Sequence, residues 1–214
     1  MMRAEQEYYT LTKKAFEALA PFYDVIALPI SRVREQAVSL AEARSGSRIL
    51  DVATGTGAQA FAFAKAGYEV VGIDLSEAML AVANRKNKSA NVKFEIADAT
   101  HLRFEDNAFD VACVSFALHD MPPGIRAKVL QEMVRVTRAK GVFVIADYAL
   151  PANRVGSFLI YHLIRLYEAD YYSIFIKSDL AALLKNSGVE IQAQRPVLLG
   201  AGKIWKGIKG ERAA

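Results

Sequence analysis

Residues 49–57, Ile-Leu-Asp-Val-Ala-Thr-Gly-Thr-Gly, run an apolar strand straight into a glycine turn, with Asp51 four residues before Gly55. A nicotinamide-binding turn usually reads G-x-G-x-x-G after a wholly apolar strand. Here a carboxylate sits at the mouth of the turn, where a pyrophosphate is repelled. The pattern suits a ligand with a cationic end.

The chain then alternates in type. Residues 47–53 read as a strand, and the alanine-rich segment 58–66 as a helix closed by Gly67. Residues 68–73 form the next β-rich run, and Ser76 opens a helical pattern with Glu77 in its first turn. Residues 92–96 and 109–116 read as strands three and four, the latter apolar enough to be buried on both faces. After Pro122 and Pro123, residues 124–138 carry Ile125, Val129, Leu130, Met133 and Val134 at helical spacing, and residues 141–148 give a fifth strand. The expected fold is α/β, a doubly wound, mostly parallel Rossmann-like sheet of seven strands. Its last two strands come from residues 189–195 and 197–208, a hairpin across Pro196.

The 214 residues suit one domain. Residues 1–46 form an N-terminal helical segment and 47–148 the core. Residues 149–177, longer than a crossover needs, form a helical cover over the site, and 178–214 hold a last helix capped by Ser178 and the hairpin. Tyr161, Tyr167, Tyr171 and Tyr172 give that cover the makings of an aromatic lid, or of an ordinary packed helix.

The single cysteine, Cys113, lies in an apolar run and forms no intrachain disulfide, which fits a reducing compartment and the core role of a small hydrophobe. Residues 1–10 lack the apolar run of a secretory signal, so a cytoplasmic location is expected. His162, Arg165, Glu168 and Asp170 interrupt residues 156–176, which excludes a spanning helix. A net charge of +4 without a basic stripe argues against nucleic acid. Lys203, Lys206, Lys209 and Arg212 suggest at most a weak attraction to anionic membrane surfaces.

Three consecutive strands end in an acid: Asp51, then Asp74 in Gly-Ile-Asp-Leu-Ser, then Asp98 in Ala-Asp-Ala. Asp74 follows Gly57 by 17 residues, where a carboxylate accepts from ribose hydroxyls, and Asp98 falls within reach of an adenine amino group. Together they describe an adenosyl ligand with a cationic end. Each has a plainer use as well: Asp51 bonding turn amides, Asp74 capping a helix, Asp98 lying solvated in a loop.

These residues resemble the class I S-adenosylmethionine-dependent methyltransferases, with residues 49–57, 71–76, 97–100 and 110–116 similar to that family's first four motifs. The resemblance implies cofactor contacts from Asp51, Ala53, Thr54, Gly55 and Gly57, from Asp74 and Leu75, from Asp98 and Ala99, and from Ser115. It also implies release of S-adenosylhomocysteine. The glycines would allow close backbone approach to the cofactor. Phe22-Tyr23-Asp24, the turn itself and residues 199–207 are similar to the type 11 branch of ubiquinone and menaquinone biosynthesis. Residues 117–122, Ala-Leu-His-Asp-Met-Pro, depart from the Arg-Asn pattern of quinone-ring C-methylation.

An aromatic lid of the kind that Tyr161, Tyr167, Tyr171 and Tyr172 would form suits a small apolar or aromatic acceptor, which is the one expected. His119 is the candidate base, or else a brace for the loop before Pro122. Tyr23 lies over the methionine end of the cofactor or staples the N-terminal helix. Two alternatives stay open: a nicotinamide oxidoreductase, which leaves Asp51 and Asp98 without a purpose, and a non-catalytic binder of S-adenosylmethionine on the same fold.

Overall fold

The structure is a computed structural model that describes residues 2–166 and 171–210, with side chains from residue 7 onward. Tyr167 and Arg212 lie outside the described residues. Helices α1 (Met2–Leu19), α2 (Tyr23–Ile26) and α3 (Ser31–Ala41) precede the sheet. Then follow β1 (Arg48–Val52), α4 (Ala58–Lys65), β2 (Glu69–Asp74), α5 (Glu77–Lys86), β3 (Val92–Ile96), β4 (Phe109–Ser115), α6 (Pro123–Val136) and β5 (Thr137–Tyr148). The chain closes with α7 (Arg154–Arg165), α8 (Tyr171–Lys177), α9 (Leu180–Asn186), β6 (Val189–Val197) and β7 (Gly202–Lys209).

The sheet order is β3-β2-β1-β4-β5-β7-β6, with β7 antiparallel to both neighbours. The order reverses between β1 and β4, and a crevice opens at that switch point beyond the strands' carboxyl ends. Central strands are buried on both faces. Ile49, Val111, Cys113 and Val144 pack with Phe63 under α3 and α4, whereas Leu50, Val52, Val114 and Ile145 pack with Ile125, Leu130 and Met133 of α6. Burial pushes the Cys113 thiol well above its ordinary pKa, as befits a core side chain.

Three local expectations shift, each for a physical reason. Helix α6 stops at Val136 rather than Arg138, because Thr137 pairs with Phe109 to start β5 while its hydroxyl donates to the Met133 carbonyl (2.6 Å). The cap of α9 is Asp179, which accepts from the Ala182 N–H (3.1 Å), because the Ser178 hydroxyl is committed to the Phe175 carbonyl (2.6 Å). The hairpin turns at Leu198–Gly200 and not at Pro196. Proline is tolerated within β6 because β6 is an edge strand.

Candidate active site

A cavity open to solvent lies at the carboxyl ends of β1 to β4, where ligands bind in open α/β sheets. Ala53 and Gly55 line it from β1, Asp74 and Leu75 from β2, Asp98, Ala99 and Thr100 from β3, and Phe116, Asp120 and Met121 from the segment after β4. Ala53 (φ 53°) and Phe116 (φ 51°), on the two strands that flank the switch point, both adopt left-handed backbone. That conformation costs a non-glycine residue about 1 kcal/mol, and here it turns the chain sharply away from the sheet where the crevice opens.

The acids of the first three strands take their bonds from nearby backbone and hydroxyl groups. Asp74 Oδ1 accepts from the Ser76 N–H (2.9 Å) and Oδ2 from the Gly55 N–H (2.8 Å). Burial raises its pKa, and these N–H groups oppose the rise. A carboxylate has about four acceptor sites, so capacity remains for ribose hydroxyls. Asp98 Oδ1 accepts both the N–H (2.8 Å) and the hydroxyl (2.7 Å) of Thr100. Asp51 is 1% exposed and accepts from the Thr54 hydroxyl (2.6 Å). Burial pushes its pKa up to about 7, against the pull of Thr54 and, more weakly, of Arg34.

Of the expected site residues, Tyr23, Ala53, Gly55, Asp74, Leu75, Asp98 and Ala99 line the cavity, while Asp51, Thr54, Gly57, Ser115 and His119 do not. Asp51 and Thr54 bond to each other beneath the turn. Ser115 donates to Gln59 Oε1 (3.2 Å), tying β4 to α4. Gly57, at φ 81°, owes its lack of a side chain to internal packing: a Cβ there would stand 2.5 Å from Phe94 Cζ. Gly55 (φ 55°) does face the cavity, with Tyr23 Cε1 3.8 Å from where a Cβ would lie.

His119 is 2% exposed, and its Nδ1 lies 2.7 Å from Asp147 Oδ1. Asp147, itself fully buried, also accepts the Leu118 N–H (3.0 Å). The other ring nitrogen, Nε2, lies 3.6 Å from Asp120 Oδ2. The imidazole thus stands behind Asp120, which reaches the cavity in its place. Arg126, buried at 2% exposure, donates to the carbonyls of Leu118 and Met121 (both 2.9 Å) and stacks on Phe175 (4.8 Å), fixing the same segment from below.

The roof is α1, through Tyr8, Tyr9, Thr12 and Phe16, and not the aromatic cover: Tyr161, Tyr171 and Tyr172 are absent from the lining. Tyr171 touches the roof from outside, edge-on to Tyr8 (6.2 Å). Burial and the negative charge of Asp120 push the Tyr8 phenol up. The signal for this roof was the i, i+4, i+8 spacing of Tyr8, Thr12 and Phe16. Asp24 fastens the N-terminal segment to the glycine turn, accepting from the Thr56 hydroxyl and from Lys86 Nζ (both 2.6 Å). Three carboxylates, Asp74, Asp98 and Asp120, line the cavity, and among the described residues no basic side chain does.

Residues 49–141 match the family model for a methyltransferase domain. The demethylmenaquinone methyltransferase of Paenarthrobacter aurescens is 38% identical over 64% of this chain and 54% of its own length. The chain thus matches little more than half the length of the first curated relatives. The demethylmenaquinone methyltransferase of Bacillus cytotoxicus is 30% identical over 92% of this chain and 94% of its own. The solved structure of an S-adenosylmethionine-dependent methyltransferase from Thermotoga maritima superposes with a TM-score of 0.71 at 18% identity, covering 91% of this chain and 98% of that one.

Proposed function

The chain belongs to the class I S-adenosylmethionine-dependent methyltransferases, and from that premise we propose that it methylates a small apolar or aromatic acceptor seated in the cavity beneath α1. The observation that carries this reading is the cavity's charge: three carboxylates and no cation among the described lining residues. That field suits a cationic cofactor and repels the pyrophosphate of a nicotinamide dinucleotide.

The residues present fit the cofactor. Asp74 and Asp98 would hold its ribose and adenine, Leu75 and Ala99 would pack against its adenosine, and Gly55 would let its methionine end approach the turn. When bound, S-adenosylmethionine supplies an electrophilic methyl group on a sulfonium. The chain's own contribution is to orient the acceptor and to exclude water. Phe116, Met121, Ile125 and Val129 give the acceptor an apolar wall opposite the roof residues Tyr8 and Phe16.

The relatives named above act, by their names, on demethylmenaquinone, which supports an aromatic-ring acceptor. Such a ring carbon, or a hydroxyl, sheds a proton on methylation. Asp120 would take it, with the His119 ring, itself bound to Asp147, behind the carboxylate. His119 is then a positioning residue and Asp120 the candidate base.

Calorimetry tests the cofactor reading. S-adenosylhomocysteine should bind and NAD should not, and Asp74→Ala should weaken S-adenosylhomocysteine binding at least 100-fold while the protein stays folded. Loss of two charge-assisted hydrogen bonds, at ~1.5–3 kcal/mol each, sets that scale. Affinity like the wild type's would overturn the ribose assignment. Incubation with methyl-labelled cofactor and an apolar cell extract tests transfer, and label recovered in no product would sink the catalytic reading.

A further inference from the structure

Helix α7 leaves most of its apolar side chains uncovered. Among its twelve residues only Ile164 is buried. Val155 is 72% exposed, Phe158 63%, Leu159 60% and Leu163 57%, and the capping Leu166 is 83% exposed. At about 100° per residue these five and His162 fall within an arc of roughly 140°, while Ile160, Tyr161 and Ile164 face the protein. Arg154 and Arg165, both exposed, lie three turns apart on one border of the apolar arc. The described helix carries no acid. A contiguous apolar stripe of this kind on a folded surface marks a partner or a membrane.

We propose that α7 docks the protein on the surface of an anionic phospholipid bilayer, with its apolar arc in the acyl boundary and its arginines at the headgroups. Charge decides between occupants. A second copy pairing antiparallel through α7 would set Arg154 of one copy beside Arg165 of the other, with no acid on the helix to offset them. Anionic lipid complements both arginines, whose long stems reach headgroup level from a helix lying in the interface. Lys177, exposed at the end of α8, is a third cation on this stretch, which the sequence offsets only in part with Glu168 and Asp170 between the two helices. A hydrogen bond to Ser173, aided by the charges of Arg165 and Lys177, holds the nearby Tyr161 phenol below its usual pKa.

The basic tail, by contrast, has its lysines engaged. Lys206 bonds Glu42 (2.5 Å), Lys209 donates to the Thr137 carbonyl (2.8 Å), and Lys203 bonds Gln194 (3.2 Å). The attraction to membranes expected of that tail therefore moves to α7.

Position gives the docking a purpose. Tyr161 of α7 stacks on Tyr172 (6.0 Å), which meets Tyr148 at the carboxyl end of β5 edge-on (5.6 Å). The α7–α8 pair thus lies at the carboxyl end of β5, and Tyr171 touches the cavity's roof at Tyr8. Next to Tyr23, which lines the cavity, the N-terminal segment exposes Phe22 (66%), Val25 (68%) and Ile26 (57%). A bilayer beneath α7 would bring lipid-dissolved molecules to the pair of helices that meets the cavity's roof through Tyr171 and Tyr8. The inference goes beyond the catalytic reading and does not depend on methyl transfer.

Co-sedimentation of the full chain with vesicles tests it. The protein should pellet with phosphatidylcholine vesicles containing phosphatidylglycerol, and much less with pure phosphatidylcholine. Phe158→Ser with Leu163→Ser should lower partitioning at least tenfold. Arg154→Gln with Arg165→Gln should lower it roughly 30-fold at low salt, from the usual contribution of a basic residue near an anionic surface, and flatten the salt dependence. All variants should keep the wild-type unfolding midpoint, because these side chains already stand in water. Wild-type protein that stays in the supernatant with the mixed vesicles, or variants that bind as the wild type does, would overturn the proposal. A dimer in the absence of lipid that α7 substitutions dissolve would do the same, assigning the face to a second copy.

Discussion

The two halves of the crevice are built by different means. On the β1–β3 side each acid is satisfied close by: Asp51 by Thr54, Asp98 by Thr100, Asp74 by Ser76 and by the neighbouring turn at Gly55. On the side after β4, partners come from far along the chain, with His119 held by Asp147 and Arg126 reaching both its own loop and Ser178. The first side is held by bonds within and between adjacent strand ends. The second depends on the whole fold being in place.

The largest test of this contrast is a titration. Burial lifts Asp51 from 3.8 to about 7, so the native state keeps a proton that the unfolded chain releases. The stability this supplies is present below about pH 4 and is lost as pH rises through about 7. Over that window the wild type should lose roughly 4 kcal/mol relative to Asp51→Asn, read as unfolding free energy against pH. Parallel profiles would mean that the local half carries no such strain.

Next is Arg126→Met, which leaves the buried carbonyls of Leu118 and Met121 without their charged donor. About 3 kcal/mol of stability should be lost, measured by urea unfolding. S-adenosylhomocysteine affinity should change little at a temperature where the variant is folded, because the cofactor half does not use that loop. A large loss of affinity would show that the halves are coupled. Asp120→Asn makes the complementary cut: kcat should fall about 100-fold, with S-adenosylhomocysteine affinity kept. Retained kcat would remove Asp120 from the proton path.

What could be read from the sequence follows the same division. The strands, their order of type and the acids at three strand ends were legible because β1 and β4 are largely apolar runs, with Asp51 in β1 and Asp110 in β4 among the few polar residues, and because the acids sit at or near the strand ends. The seventh-strand hairpin was legible apart from its turn, which Leu199 makes in left-handed backbone that nothing in Leu198-Leu199 announces. His119 was singled out, but its role was not: only the fold brings Asp147, 28 residues on, against its ring and leaves Asp120 on the cavity wall. Arg126 on an amphipathic helix reads as a solvated face, and no local pattern distinguishes it from one. Helix α1 was expected as a helix without its role as roof, because a roof is defined by what lies beneath it.

Tyr9 joins the roof to the local half. The Thr100 hydroxyl spends its proton on Asp98 (2.7 Å), so in the 3.3 Å contact between Tyr9 and Thr100 the tyrosine O–H is the donor. A relay thus runs from the roof helix through Thr100 to the acid expected to read adenine. Removing the hydroxyl leaves both ring packing and the Thr100–Asp98 bond in place. Tyr9→Phe should therefore cost about 1 kcal/mol, seen in calorimetry as a roughly fivefold loss of S-adenosylhomocysteine affinity beside any fall in the unfolding midpoint. A drop in the midpoint without a change in affinity would mean that α1 braces the sheet and leaves the ligand untouched, and the local half would then hold its cofactor without help from the roof.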